Sequence, residues 1–313
     1  VLEILREPFN IDGHELRTTA SIGVAISDDD GTDAVTLLKN ADMALYRAKR
    51  RARNTFEFFT EELNIEVTNR VNLEAQLRHA LDHNEFLHHY QPLVRLSDQK
   101  IIGVEALVRW QHPTRGLLSP VEFIGLAEDS RLITQLGAWC MRDACERMVK
   151  GRAGNSNWRL SLNLSVRQLA DPDFPAKVRE VLDETGLPAS RLELEITESM
   201  LMETAESIPN LHYLREMGAT LAIDDFGTGY SSFGYLKELP LDVLKADKSF
   251  VDMIPVKQRD TEIASAIIAL GHKLGMCVVA EGIETKEQLV FLSEIGCDVG
   301  QGFFLYMPGE LLR

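Results

Sequence analysis

Leu221-Ala222-Ile223-Asp224-Asp225-Phe226-Gly227-Thr228-Gly229 reads as a short apolar strand that ends in two adjacent carboxylates and runs into a glycine-hinged loop. Two neighbouring acids repel, and holding both ionised at a buried strand end needs a strong positive partner. A divalent cation meets that need, because hard ions take carboxylate oxygens. An isolated Asp-Asp is more often a solvated turn. The choice rests on whether other strands deliver matching residues.

Strands and helices alternate around this stretch. Residues 86–96 and 101–109 read as two strands joined by the tight polar turn Ser97-Asp98-Gln99-Lys100, close enough in sequence to be antiparallel. Helices are expected at 120–128, 132–149, 174–185, 205–217, 261–274 and 286–295, and strands at 159–164, 192–197, 220–225, 243–247, 278–282 and 298–303. Gly186, Gly218, Gly275 and Gly296 mark helix ends. The alternation predicts an α/β fold, a (β/α)8 barrel, with a doubly wound sheet as the competitor.

Polar residues interrupt the apolar strands at one recurring place. Glu105 follows Ile102-Gly103-Val104, Asn163 follows Leu160-Ser161-Leu162, and Glu195 follows Leu192-Glu193-Leu194. Lys245 follows Val243-Leu244, and Glu281 follows Val278-Val279-Ala280. Barrel strands are covered by helices and filled inside, so these residues cannot all be surface. Buried charges must pair or ligate. The pattern predicts a polynuclear metal site at the C-terminal face, with two Mg2+ or Mn2+ ions held by oxygen donors. Two such ions clamp the attacking and leaving oxygens of a phosphodiester, with a metal-activated water attacking in line. Lys245, the one cation of the set, serves to orient that water, lower its pKa or offset phosphoryl charge. Arg109, four residues beyond Glu105 on the same strand face, is a candidate phosphate grip. A barrel enzyme that enolises an acid with Mg2+, using Lys245 as base, is a competing reading.

Composition narrows the partners. The chain has 313 residues and a formal net charge of −15, which argues against duplex nucleic acid and anionic lipid but not against a small phosphorylated ligand held by metal. Cys140, Cys145, Cys277 and Cys297 form no Cys-x-x-Cys pair and read as reduced residues of a cytoplasmic protein. No apolar run reaches the roughly 18 residues of a membrane span. The chain starts at Val1, which suggests a fragment of a longer protein whose missing part carries a sensor or an anchor. His88-His89 and the tryptophans Trp110, Trp139 and Trp158 are expected to pack rather than to bind.

The first residues read differently. A strand is expected over 16–26 after the turn Asp12-Gly13, then a helix with apolar positions Val35, Leu38, Ala41, Leu45 and Ala48 and a basic end. Ser21-Ile22-Gly23-Val24-Ala25, Ala41-Asp42-x-Ala44-Leu45-Tyr46-x-Ala48-Lys49 and Arg53-Asn54 together resemble the C-terminal third of a GGDEF (diguanylate cyclase) domain, with Ala52 where Gly is usual. A helix at 61–84, with Leu63, Val67, Val71, Leu77 and Leu81 on one side, is expected to link this small α+β remnant (1–60) to the main domain (85–313).

The main domain resembles the EAL domain, the phosphodiesterase that opens cyclic di-GMP to linear pGpG. The resemblance rests on Tyr90-Gln91-Pro92, Glu105-Ala106-Leu107-Val108-Arg109-Trp110, Leu162-Asn163-Leu164-Ser165 and Glu195-Ile196-Thr197-Glu198. It extends through Asp224-Asp225-Phe226-Gly227-Thr228-Gly229, Leu244-Lys245-x-Asp247, Ala280-Glu281-Gly282-Ile283-Glu284 and Gln301-Gly302. It implies a barrel with an antiparallel first strand and metal ligation by Glu105, Asn163, Glu195, Asp224 and Asp225, with Glu281 beside them. Lys245 and Glu281 would flank the nucleophilic water. Gln91, Asp247, Glu284 and Gln301 would join Arg109 around the substrate, and such domains often pair as homodimers. Glu198 is expected to accept from the loop that starts at Phe226 and includes Gly227, Thr228 and Gly229, and so to fix Asp225. Arg131, Phe233, Ala246 and Tyr306-Met307 depart from the usual pattern, and none is a ligand. An inactive receptor for the same nucleotide is the alternative; receptors of this kind lose ligands, and here the set is complete.

Overall fold

The computed structural model describes residues 1–11, 14–51, 54–151, 156–203, 207–227 and 239–310. Its contacts divide the chain into two units, Val1–Arg78 and His79–Arg313.

In the first unit, β1 (Phe9–Ile11) pairs antiparallel with β2 (His14–Leu16), and β3 (Ile22–Val24) pairs parallel with β4 (Phe56–Phe58). The helix Ala34–Arg51 packs against β3 and β4, and Ala44, Phe59 and Leu63 form a small core. The strand expected over 16–26 shrinks to Ile22–Val24, because β4 offers only three residues to pair with. Val35 and Leu38, expected on the packed face, are 78% and 73% exposed, and Val71 of the helix Glu61–Asp82 is 62% exposed. Leu63 and Leu77 of that helix are buried. The turn at Asp12-Gly13 and the match at Ala52 and Arg53 lie outside the described residues.

The second unit is a closed barrel. Its strands are β5 (Phe86–Arg95), β6 (Ile101–His112), β7 (Gly116–Leu118), β8 (Arg159–Asn163), β9 (Leu192–Thr197), β10 (Thr220–Phe226), β11 (Val243–Ala246), β12 (Cys277–Ala280) and β13 (Val299–Gly300). From β6 through β8 to β13 neighbours are parallel, and β5 closes the ring antiparallel to both β6 and β13. Closure excludes the doubly wound sheet. The turn after β5 is tight, with Gln99 at φ 57° and Arg95 N donating to Lys100 O at 2.9 Å. Sequence periodicity did not reveal the short strand β7, which extends β6 beyond the ring.

Strand alternation sorts the residues. Leu160, Leu192, Leu194, Ile196, Leu221, Ile223, Leu244 and Val278 belong to the large core shared with the helices. The opposite parity points into the barrel. There Leu93, Ala222, Val243, Val279 and Val299 make an apolar layer, and the next inward position of each of those strands is Gln91, Asp224, Lys245, Glu281 or Gln301. Gly186 and Gly296 follow helices at φ 76° and 80°, a conformation that glycine adopts without a Cβ penalty. Arg131 takes φ 64° without that freedom. No described helix is long and apolar enough to cross a membrane.

Beyond β12 and β13 the two connections are stitched together by Gln301 N to Ala280 O, Ile283 N to Gln301 O and Phe304 N to Ile283 O. A Cβ on Gly302 would overlap the backbone of Ile283. Neither backbone can yield, so Gly302→Ala is expected to cost about 1–3 kcal/mol. Differential scanning calorimetry should show a Tm lower by roughly 5 °C; an unchanged Tm would mean that the two connections are free to separate.

Candidate active site

Lys245 is 1% exposed and lies at the centre of a ring of acids. Its Nζ is 2.7 Å from Glu281 Oε1, 2.9 Å from Glu195 Oε2, 3.2 Å from Asp224 Oδ1 and 3.9 Å from Glu105 Oε2. Burial alone would depress an ammonium. Here the charges of Glu105, Glu195, Glu281 and Asp224 outweigh it and drive Lys245 well above the usual lysine range. The ring of acids thus favours the charged form of Lys245, which suits a donor better than a base.

The carboxylates do not share that cation equally. Burial works against the charge of Glu105, but Lys245 and hydrogen bonds from Gln301 and Asn163 hold it below its ordinary value. Burial and the neighbouring charge of Glu105 push Glu195 well up. Burial raises Glu281 to about 8 despite Lys245, and burial together with Asp224 raises Asp225. Five carboxylates near one buried ammonium leave excess negative charge that protons or further cations offset.

The donor set fits divalent metal on its own geometry. Asp224, Asp225 and Glu281 each offer an oxygen, all within 4.8 Å of one another. Neither oxygen of the buried Glu195 has a well-aligned hydrogen bond among the described residues. Every donor is a hard oxygen, as Mg2+ and Mn2+ prefer.

Two successive strand residues normally face opposite ways. The pairing of β10 with β11 shifts register between Ile223 and Phe226, and Asp225 sits at φ 52°. This bulge re-aims Asp225 so that it converges with Asp224 rather than diverging from it. Asp224 Oδ1 accepts from Asp225 N at 3.0 Å. Just beyond, Gly227 N donates to Oε2 of the buried Glu198 at 2.8 Å, which fastens the start of the loop to the end of β9. Thr228 and Gly229 lie outside the described residues.

The remaining candidates fall into two groups. Gln301 Nε2 donates to Glu105 Oε2 at 2.6 Å and to Gln91 Oε1 at 3.1 Å, and Gln91 Nε2 donates to Tyr306 O at 3.2 Å. Asn163 Nδ2 donates to Glu105 Oε1 at 2.7 Å. Two amides thus orient Glu105, and Gln91 braces one of them. Glu284 stands at the rim, ion-paired with Lys248 at 2.6 Å, and Asp247 caps the following helix by accepting from Ser249 N at 3.0 Å. Arg109 is half-buried and donates to Val108 O at 2.9 Å; it does not line the cleft over the acids. Lys248 and Phe303 do line that cleft and were not singled out in the sequence, where an exposed lysine or phenylalanine carries no pattern. The cleft holds about 240 Å3. Leu107 also lines an apolar cavity of about 670 Å3, which reaches Asn163, Ile124 and Met200. His88, expected to pack, is buried against Trp139 with Nδ1 2.9 Å from Asp143.

Residues 74–308 match the family described as EAL domain, and residues 1–55 match the family described as Diguanylate cyclase, GGDEF domain. The cyclic di-GMP phosphodiesterase NbdA of Pseudomonas aeruginosa is 46% identical over 98% of this chain and 40% of its own length. The bifunctional diguanylate cyclase/cyclic di-GMP phosphodiesterase MucR of the same organism is 42% identical over 98% of this chain and 46% of its own length. The chain thus spans less than half the length of these curated relatives. A solved structure described as PaMucR phosphodiesterase in complex with c-di-GMP superposes with a TM-score of 0.73 at 43% identity, covering 76% of this chain and 97% of that one.

Removing the central ammonium isolates buried acids. Lys245→Met is expected to cost about 3–5 kcal/mol in EDTA, a Tm loss on the order of 10 °C. Millimolar Mg2+ should restore at least half of it. A melt in EDTA that matches the parent would mean that Lys245 does not hold the acids together.

Proposed function

The chain belongs to the EAL domain family, and on that premise we propose that it hydrolyses cyclic di-GMP to linear pGpG. The barrel (85–313) would carry the activity, the helix at 61–84 would be a connector, and 1–60 the C-terminal part of a cyclase domain. The observation that carries the reading is the convergence of all seven strand-end groups, Glu105, Asn163, Glu195, Asp224, Asp225, Lys245 and Glu281, with no ligand replaced. A receptor that only binds the nucleotide has no use for the full set.

Glu105, Asn163, Glu195, Asp224, Asp225 and Glu281 would hold two Mg2+ or Mn2+ ions, which when bound would acidify the attacking water and offset phosphodiester charge. The chain's own residues do the rest. Lys245 stays protonated and donates to the water or to a phosphoryl oxygen, while Glu281, partly open to the cleft, accepts from the same water and aims it at phosphorus. The water's hydroxyl ends on phosphorus, the P–O3′ bond breaks, and the water's other proton ends on the released sugar oxygen. Gln301, Gln91 and Asn163 keep Glu105 oriented through the reaction. The apolar cavity beside Leu107 suits a purine face, and Lys248 at the rim suits the second phosphate.

Incubation with cyclic di-GMP and Mg2+ or Mn2+, followed by chromatography, should yield pGpG. Ca2+ should bind and fail, since its longer and looser coordination misplaces the water. Equal turnover with Ca2+, or binding without any pGpG, would overturn the mechanism, and the second outcome would favour the receptor.

The Glu198 carboxylate accepts from Gly227 N and so holds the loop start, and its removal should loosen Asp225 rather than the fold. Glu198→Ala is expected to lose about 10–100-fold in activity at low Mg2+, to recover partly at high Mg2+, and to melt near the parent. Glu198→Gln, which keeps an acceptor, should be milder. Full activity of Glu198→Ala at low Mg2+ would reduce Glu198 to a helix-end charge.

A further inference from the structure

The interior layer beneath the acids is apolar except for Glu193 and Ser161. Glu193 sits in it at 2% exposure. It shares the inward face of β9 with Glu195, roughly 6.6 Å below it along the strand. Ser161 stands opposite in register and donates Oγ to Glu193 Oε1 at 2.7 Å. Arg159 Nη1 lies 3.0 Å from Glu193 Oε2. Arg159 in turn lines a cavity of about 640 Å3 at the opposite mouth, with Arg95, His272 and Asp298. A charged column therefore runs the length of the barrel, from Arg159 through Glu193 and Glu195 to Lys245.

Ser161 and Arg159 engage both Glu193 oxygens, so Glu193 is held below the site rather than offered to it. Glu195 above faces Lys245, whose Nζ is 2.9 Å from Oε2, and no well-aligned hydrogen bond fixes its Oε1 among the described residues. We propose that Glu193 is a positioning residue: a fixed anion, clamped by Arg159 and Ser161, whose charge draws divalent cations down onto Glu195. The proposal rests on the reading of Glu195 as a metal ligand. It assigns Glu193 no contact with substrate or water.

The test is the dissociation constant for Mn2+ alone, read from free Mn2+ by electron paramagnetic resonance on the whole chain without nucleotide. Glu193→Gln keeps the size and an acceptor but loses the charge, and should bind Mn2+ about tenfold more weakly with little change in Tm. Glu193→Asp keeps the charge and loses the fit, and should stay within about threefold of the parent. A packing role predicts the opposite order. Parent-like Mn2+ affinity in Glu193→Gln, or a larger loss in Glu193→Asp, overturns the proposal and leaves the metal reading of Glu195 standing. No Mn2+ binding by the parent overturns both. If Glu193→Gln does not fold, Glu193→Asp alone decides, since a loss beyond tenfold there is incompatible with a role through charge.

Discussion

One ammonium surrounded by carboxylates organises the barrel mouth. Lys245 touches acids contributed by β6, β9, β10 and the end of β12, so it is the point at which four separate strands must agree. A lysine so buried is tolerable only in that company. The acids in turn exceed what one cation can neutralise, which leaves the mouth poised for divalent metal. The groups that bury this lysine are the same ones to which the proposed chemistry falls.

The fold makes this gathering possible through alternation alone. A strand that buries every second side chain against helices sends the others into the barrel, where one layer is almost wholly apolar and the layer above it polar. The change from one layer to the next takes two residues per strand. The rungs of the ladder are staggered against these layers, with Glu195 paired to Ala222 and Lys245 to Val279, as the tilt of barrel strands requires. Glu193 and Ser161 are the exception in the lower layer, and they satisfy each other.

Much of this was legible in the sequence. The polar residue closing each apolar run was visible residue by residue, and the short Ser97–Lys100 turn already implied the reversed strand. What sequence could not give was direction at single positions. Asp225 should point away from Asp224 by strand parity, and only the bulge brings it back. Gln91 and Gln301 line the cleft, and the sequence did not show that Gln301 also binds Glu105, because an amide's partner depends on a strand far away in sequence. Arg109 has the expected face but its guanidinium is turned to the backbone. In the first unit, Val35 and Leu38 have helical spacing without a surface to cover them, so periodicity overstated burial. Arg131 departs from the usual glycine yet keeps the backbone conformation that glycine favours.

The reversed β5 also settles how the chain enters the barrel. In an all-parallel barrel the first strand starts at the floor, remote from the chemistry. Here Phe86 pairs with Trp110, past Glu105 on β6, and Glu85 is anchored there by Trp110 Nε1 at 3.0 Å and Gln111 N at 2.7 Å. The polypeptide arrives at the rim and descends past Gln91, the partner of Gln301. The strand that opens the barrel therefore begins beside the acids rather than at the opposite mouth.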